Sequence, residues 1–229
     1  MQMVDTPSNF IKGIFVKELK NRFLCEVIID GVSTVCYVPS SCHLSNFLDL
    51  KNKKVLLVPT QTPNSRTKYA LLAVAYKRGY LVLNTSMANV AVANSLKSRR
   101  FSCLGRRKNY QTEHRIGDYK TDIYIQDSNT IIEIKSIIST QSKGCFPTVF
   151  SERSIKQLKQ LRELMHNGYK VCFMIISLNP YLKSIDINRE TEFYREFVKC
   201  INDGMTVKAY TCNLVESKPV IKSCIPVSI

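Results

Sequence analysis

The chain has 229 residues, 33 Lys+Arg against 18 Asp+Glu, a formal net charge of +15 and an apolar fraction of 45%. That apolar share excludes a disordered chain, and the length suffices for one large domain or two small ones. The positive surplus argues against an acidic, anion-repelling surface and selects a polyanion as partner, with nucleic acid ahead of an acidic membrane.

No apolar run approaches the length that spans a bilayer. The opening Met1-Gln-Met-Val-Asp5 has no basic stretch followed by an apolar one, so no secretory signal is expected. Nine cysteines are present: Cys25, Cys36, Cys42, Cys103, Cys145, Cys172, Cys200, Cys212 and Cys224. None forms a Cys-x-x-Cys pair, which argues against a zinc ribbon, and most lie in apolar runs where a free thiol packs as a small hydrophobe. A reduced, cytoplasmic, soluble protein is the expectation.

From the N-terminus, residues 10–83 read as all-β. Strands are expected at Phe10–Lys17, Phe23–Ile29, Val32–Val38, Lys54–Pro59, Tyr69–Tyr76 and Tyr80–Leu83, with a hairpin turn at Asp30-Gly31. Short strands at this spacing suit a small closed barrel of OB type, a common single-strand binder. Lys12, Lys17, Lys20, Arg22, Tyr37, Arg66, Lys68 and Tyr69 are its candidate binding side chains, although each aromatic alone reads more simply as a half-buried strand residue.

The pattern changes at Asn84. A helix over 87–96 is expected, capped by Thr85 or Ser86. Residues 1–83 therefore form an OB-like nucleic-acid-binding barrel and 84–229 a second, α/β domain. A basic run follows: Lys97, Arg99, Arg100, Arg106, Arg107, Lys108 and Arg115. Such a run is usually a solvated face; its place before an acidic hairpin also makes it a candidate grip on phosphate.

That hairpin carries the chemistry. Residues 121–126 alternate polar and apolar, 127–129 supply turn residues, and 130–136 run back. Glu133 and Lys135 share one strand face, and Asp122 falls across the ladder from Glu133. The flanks Ile131, Ile132, Ile134, Ile137 and Ile138 mark a central strand. Charges on such a strand must be satisfied, by a metal site or by an internal salt bridge. Asp122 and Glu133 are candidate ligands for a hard divalent cation, Mg²⁺ or Mn²⁺, with Lys135 beside it to orient or deprotonate water and Glu113 as a third carboxylate. An Asp followed by Glu-x-Lys on the next strand resembles the arrangement of the PD-(D/E)xK nucleases.

Past a loop at Lys143-Gly-Cys-Phe-Pro147, a helix from Ser151 to about Asn167 has an apolar stripe of Ile155, Leu158, Leu161 and Met165. Arg153 lies in its first turn. Tyr169–Leu178 reads as a strand covered on both faces, Glu190–Asp203 as a second amphipathic helix, and Thr206–Cys212 and Val220–Val227 as strands. The expectation is an α+β protein of two domains, the second a PD-(D/E)xK-like α/β domain on a mixed central sheet. His43, His114 and His166 are scattered, and no P-loop, Gly-x-Ser-x-Gly or Gly-x-Gly-x-x-Gly occurs.

The sequence resembles the SfsA family nearly end to end. The resemblance rests on Thr34-Val-Cys-Tyr-Val-Pro39, Asn84-Thr85 with Ala88-Asn89, Lys120-Thr-Asp122, Glu133-Ile-Lys135-Ser136, Gly144-Cys-Phe-Pro147, Ser151-Glu-Arg153 and Leu161-Arg-Glu-Leu-Met165. It implies an OB-like domain before a nuclease-like domain, DNA ahead of RNA as partner, and in some members a role in regulating sugar utilisation. By position it makes Asp122 and Glu133 metal ligands, Lys135 the catalytic lysine and Glu113 the upstream carboxylate, with Lys120 in place of a family arginine. Arg99, Arg100, Arg106, Arg107, Lys108, Arg115, Lys120 and Arg153 are the nucleic-acid contacts, and a homodimer is allowed. The chain departs from the family at Pro39-Ser-Ser-Cys-His-Leu44, at Thr148 and at Ser154-Ile155, where the family has Gly-Gln. A metal-dependent nuclease is the first reading and a non-catalytic DNA-binding regulator the second.

Overall fold

The computed structural model describes residues 10–40, 43–46, 48–60, 65–216 and 218–229. Ser41 and Cys42, within the first departure from the family pattern, lie outside these residues.

Six strands open the chain: β1 (Ile11–Glu18), β2 (Leu24–Ile29), β3 (Val32–Tyr37), β4 (Lys54–Pro59), β5 (Tyr69–Tyr76) and β6 (Gly79–Val82). They pair in the order β3-β2-β1-β4-β5-β6, and β3 also meets β5 through Tyr37 and Ala70. Five strands thus close on themselves as an OB-type barrel, with β6 as an extension. The alternating pattern makes this work: Phe15, Cys25, Val27, Cys36, Val55, Leu57, Leu71 and Leu81 point inward to one core. Gly13 permits the close packing of β1 on β2, because a Cβ there would stand 2.4 Å from Val27 Cγ1.

Ser86 occupies the N-cap position of helix α1 (Met87–Ser95), but its side chain does not cap the helix. Its amide and hydroxyl both donate to Asn84 Oδ1. Short strands follow, β7 (Tyr110–Thr112), β8 (Arg115–Ile116), β9 (Tyr119–Lys120) and β10 (Ile123–Ile125), then β11 (Thr130–Ile137) and β12 (Lys143–Phe146). Helix α2 (Glu152–His166), β13 (Lys170–Ser177), β14 (Ser184–Ile187), helix α3 (Glu192–Asn202), β15 (Thr206–Val215), β16 (Lys218–Ile225) and β17 (Val227–Ser228) complete the chain. Ser151 and Thr191 cap α2 and α3 by accepting the amides of Ser154 and Tyr194.

The central sheet runs β16-β15-β13-β11-β10-β7. Strands β11, β13 and β15 are parallel, and β7, β10 and β16 antiparallel to their neighbours, so the sheet is mixed. One face packs Ile131, Phe173 and Ile175 against Ile155 and Leu158 of α2 and Phe193 and Phe197 of α3. The other packs Ile132, Ile134, Cys172 and Met174 against Ala88, Ala91 and Val92 of α1. Each buried Ile, Leu, Val, Phe or Met among these contributes about 1.5–3 kcal/mol relative to exposure.

The segment 143–146, expected as a loop, is a strand. It pairs in parallel with β14, and β14 with β17, in a small separate sheet. Two-to-four-residue strands give too few alternations to read from sequence. The domains share contacts: Val82 donates to the Leu178 carbonyl at 3.0 Å, and Tyr76 Oη to the Thr140 carbonyl at 2.8 Å. Among the described residues no helix is long and apolar enough to cross a membrane, and the eight described cysteines are unpaired.

Candidate active site

The hairpin β10–β11 pairs Ile123 with Ile132, which sets Asp122 opposite Glu133 one step further along the ladder. Strand β10 begins at Ile123, and beyond it the Asp122 carboxylate takes over the role of a ladder partner. Its Oδ2 accepts the amide of Ile134 at 2.7 Å. Its Oδ1 accepts Nδ2 of Asn89, from α1, at 2.8 Å. The distal half of β11 is thereby left open on the β10 side, and the site lies in that opening.

Glu133 is 2% exposed. Its Oε2 accepts the Tyr119 hydroxyl at 2.5 Å, and its Oε1 accepts Lys135 Nζ at 2.6 Å. The same ammonium donates to Gln157 Oε1 of α2 at 2.7 Å. The lysine side chain retains 20% exposure, so the pair is not sealed from solvent. Burial and the Glu133 carboxylate hold the Tyr119 phenol far above its ordinary range, so it remains a donor.

Asp122 is pushed up to about 6, mainly by burial and next by the Glu133 charge; the Ile134 amide, Asn89 and Lys135 oppose the rise. Between the ordinary value of 3.8 and about 6, the folded chain binds a proton that the unfolded chain does not. This group's contribution therefore falls as pH rises through that window and stays low above it. Urea denaturation should show Asp122→Asn gaining on the parent by on the order of 1–3 kcal/mol between pH 4.5 and pH 7. A difference independent of pH would contradict the assignment.

The donor set fits a hard cation. Asp122 and Glu133 come from opposed positions on the ladder and the Glu133 charge acts on Asp122; each of their oxygens accepts one bond, and a carboxylate offers about four lone-pair sites. The candidate ligand atoms are carboxylate oxygens, and Mg²⁺ is commonly held by one or two carboxylates plus water and phosphate. Among the described residues no group of three or more His, Cys, Asp and Glu side chains is placed to hold a metal ion, so water, backbone or substrate oxygens would have to complete a shell around a cation held here.

Other expected site residues are distributed differently. Glu113, in the left-handed region at φ 54°, turns its exposed carboxylate to Lys120 Nζ at 2.8 Å, not toward Asp122. Arg115 pairs with Lys120 on the β8–β9 hairpin, whose Tyr119 enters the site. Arg153, in the first turn of α2, lies close enough to act on the Tyr119 phenol. Arg99 and Arg100 ride a short 3₁₀ segment anchored by Phe101 and Leu104 in the core of the opposite sheet face. Arg107 is taken up by the backbone: its guanidinium donates to the carbonyls of Leu96, Ser98 and Gly105. Arg106 lies 3.9 Å from Asp127, and Lys108 is exposed.

Sequence reasoning missed Tyr119, Asn89 and Gln157 as members of the site. Ile155, where the family pattern has Gln, is buried in the α2 core. Gln157, two residues on, is the amide that reaches Lys135.

The fold is thus an OB-type barrel followed by a restriction-endonuclease-like α/β domain. Residues 86–218 match the family described as the sugar fermentation stimulation protein RE domain, and residues 19–83 match the SfsA N-terminal OB domain. The chain belongs to the SfsA family. A sugar fermentation stimulation protein homolog of Methanobrevibacter smithii is 26% identical over 220 residues, 90% of this chain and 91% of that one. Another, from Caldanaerobacter subterraneus subsp. tengcongensis, is 29% identical over 90% of this chain and 92% of its own. The structure of Pyrococcus furiosus SfsA, solved in complex with Ca²⁺, superposes with a TM-score of 0.80 at 17% identity and covers 100% of both chains. At that identity the likeness concerns the fold.

Proposed function

We propose that this protein is a divalent-metal-dependent nuclease acting on nucleic-acid phosphodiesters, with DNA ahead of RNA. The observation that carries the reading is the meeting of Asp122, Glu133 and Lys135 at an open stretch of β11, with Lys135 held by Gln157.

Asp122 and Glu133 would hold Mg²⁺ or Mn²⁺, which when bound supplies charge neutralisation at the phosphate and a more acidic water. Tyr119 and Asn89 each donate to one carboxylate and so fix its orientation. Lys135 would orient the attacking water by donating a hydrogen bond from its ammonium, and Gln157 keeps the ammonium from swinging away. Arg153, Arg115 and Lys120 supply positive charge near the mouth, where a phosphate backbone would approach.

Purified protein incubated with Mg²⁺ or Mn²⁺ should cleave DNA, and EDTA should stop it. No cleavage of any single-stranded or double-stranded DNA or RNA with either metal would overturn the reading. One observation favours a second one: both Glu133 oxygens already accept bonds, from Tyr119 and Lys135. A chain with that pair locked would bind DNA as a non-catalytic regulator, and the same assay would then show binding without turnover.

A further inference from the structure

Two aromatic rings stand in the open on the barrel. Phe23 is 37% exposed and Tyr37 39% exposed. They are stacked, with ring centroids 6.4 Å apart and planes within 22°. The pairing of β2 with β3 sets Leu24 opposite Tyr37, which brings Phe23 alongside, and the Val38 amide bonds the Phe23 carbonyl. The Arg22 guanidinium lies 4.8 Å from the Phe23 ring centre. Lys20 is exposed in the same turn. A groove runs from these rings along Pro39 to Asn84, Thr85 and Ser86, at the start of α1.

Two partly exposed stacked rings beside a cation form a surface patch of the kind that marks a binding site. A flat ring pair flanked by a guanidinium matches the face of a nucleobase in both shape and charge, and the phosphates of a strand match the basic rim. Its position links it to the candidate site. Ser86 and Asn89 are three residues apart on one helix, about 5 Å along its axis. Ser86 lines the groove, and Asn89 holds Asp122.

We infer that Phe23, Tyr37 and Arg22 form a base-stacking platform for single-stranded nucleic acid, which feeds a strand along the first turn of α1 toward the carboxylates. A duplex cannot use the platform, because each of its bases already has neighbours on both faces. The role in feeding rests on the nuclease reading; the binding itself does not.

The test is fluorescence anisotropy in EDTA, so that no turnover is involved. The probes are a fluorescein-labelled single-stranded DNA of mixed sequence, the same sequence as RNA, and the DNA annealed to its full complement. The parent should bind single strands more tightly than the duplex. The double variant Phe23→Leu/Tyr37→Leu keeps apolar bulk but removes both rings. Its single-strand affinity should fall about tenfold or more per ring, with duplex affinity unchanged. Tyr37→Phe keeps a ring and should bind as the parent does. Circular dichroism identifies any variant that has lost the barrel, in which case Tyr37→Ser alone replaces it. Unchanged single-strand affinity in the double variant, or equal losses on single strand and duplex, would overturn the platform and leave the patch to a protein partner. Comparing the DNA and RNA arms shows which strand it takes. Platform-dependent binding without metal-dependent cleavage would end the nuclease reading and leave the platform standing.

Discussion

Glu133→Gln is expected to lower metal-dependent cleavage by about a thousandfold while leaving nucleic-acid binding in EDTA intact. The substitution keeps the size of the side chain and one acceptor for the Tyr119 hydroxyl, now 2.5 Å from Glu133 Oε2. It removes the negative charge that would hold a cation beside Asp122. Lys135→Ala should give a loss of similar size by a different route, since the metal ligands remain and the group that positions water is gone. Initial rates with Mg²⁺, set against anisotropy of the same oligonucleotide, separate the two effects. Cleavage that survives both substitutions would refute the assignment of the site.

The second large effect concerns stability. Glu133 is buried and Lys135 is its cationic partner at 2.6 Å. Lys135→Met leaves the carboxylate in place with only the Tyr119 donor, and breaking such a pair should cost roughly 2–4 kcal/mol. The figure is set at the lower end because the lysine side chain is one-fifth exposed. Adding Glu133→Gln removes the stranded charge, so the double variant should recover most of the loss. Urea denaturation of the two singles and the double closes the cycle. A double variant no more stable than Lys135→Met alone would show that the pair is not the source of the cost.

Much of the site was legible because strands have a period of two. Alternation over 121–126 and the turn at 127–129 placed Asp122 opposite Glu133, and the register of Ile123 with Ile132 gives the same neighbours. The apolar flanks of β11 marked it as central, and it is paired on one side by β13 along its length. The barrel was legible for the same reason, through the Asp30-Gly31 turn and the inward-facing alternation.

Other parts were not, for definite physical reasons. Glu113 adopts a left-handed backbone conformation that no sequence period encodes, and its carboxylate turns to Lys120. Asn89 and Gln157 reach the site from α1 and α2, elements distant in sequence from β11. Helical spacing shows which face of each helix is apolar but not what its polar side chains meet. The basic run from 97 to 115 reads as one feature, yet the structure divides it. Phe101 and Leu104 tie its first part to the sheet face away from Glu133, and Arg107 is held by three carbonyls. Phe23 and Tyr37 each look like ordinary strand residues; only the pairing of β2 with β3 brings their rings together.

The most direct measurement is the anomalous difference density of a crystal soaked in Mn²⁺. A single peak about 2.0–2.2 Å from oxygens of both Asp122 and Glu133 is the expected result. A soaked crystal with no ion between these two carboxylates, from protein that still cleaves nucleic acid with Mn²⁺, would contradict the account at its base.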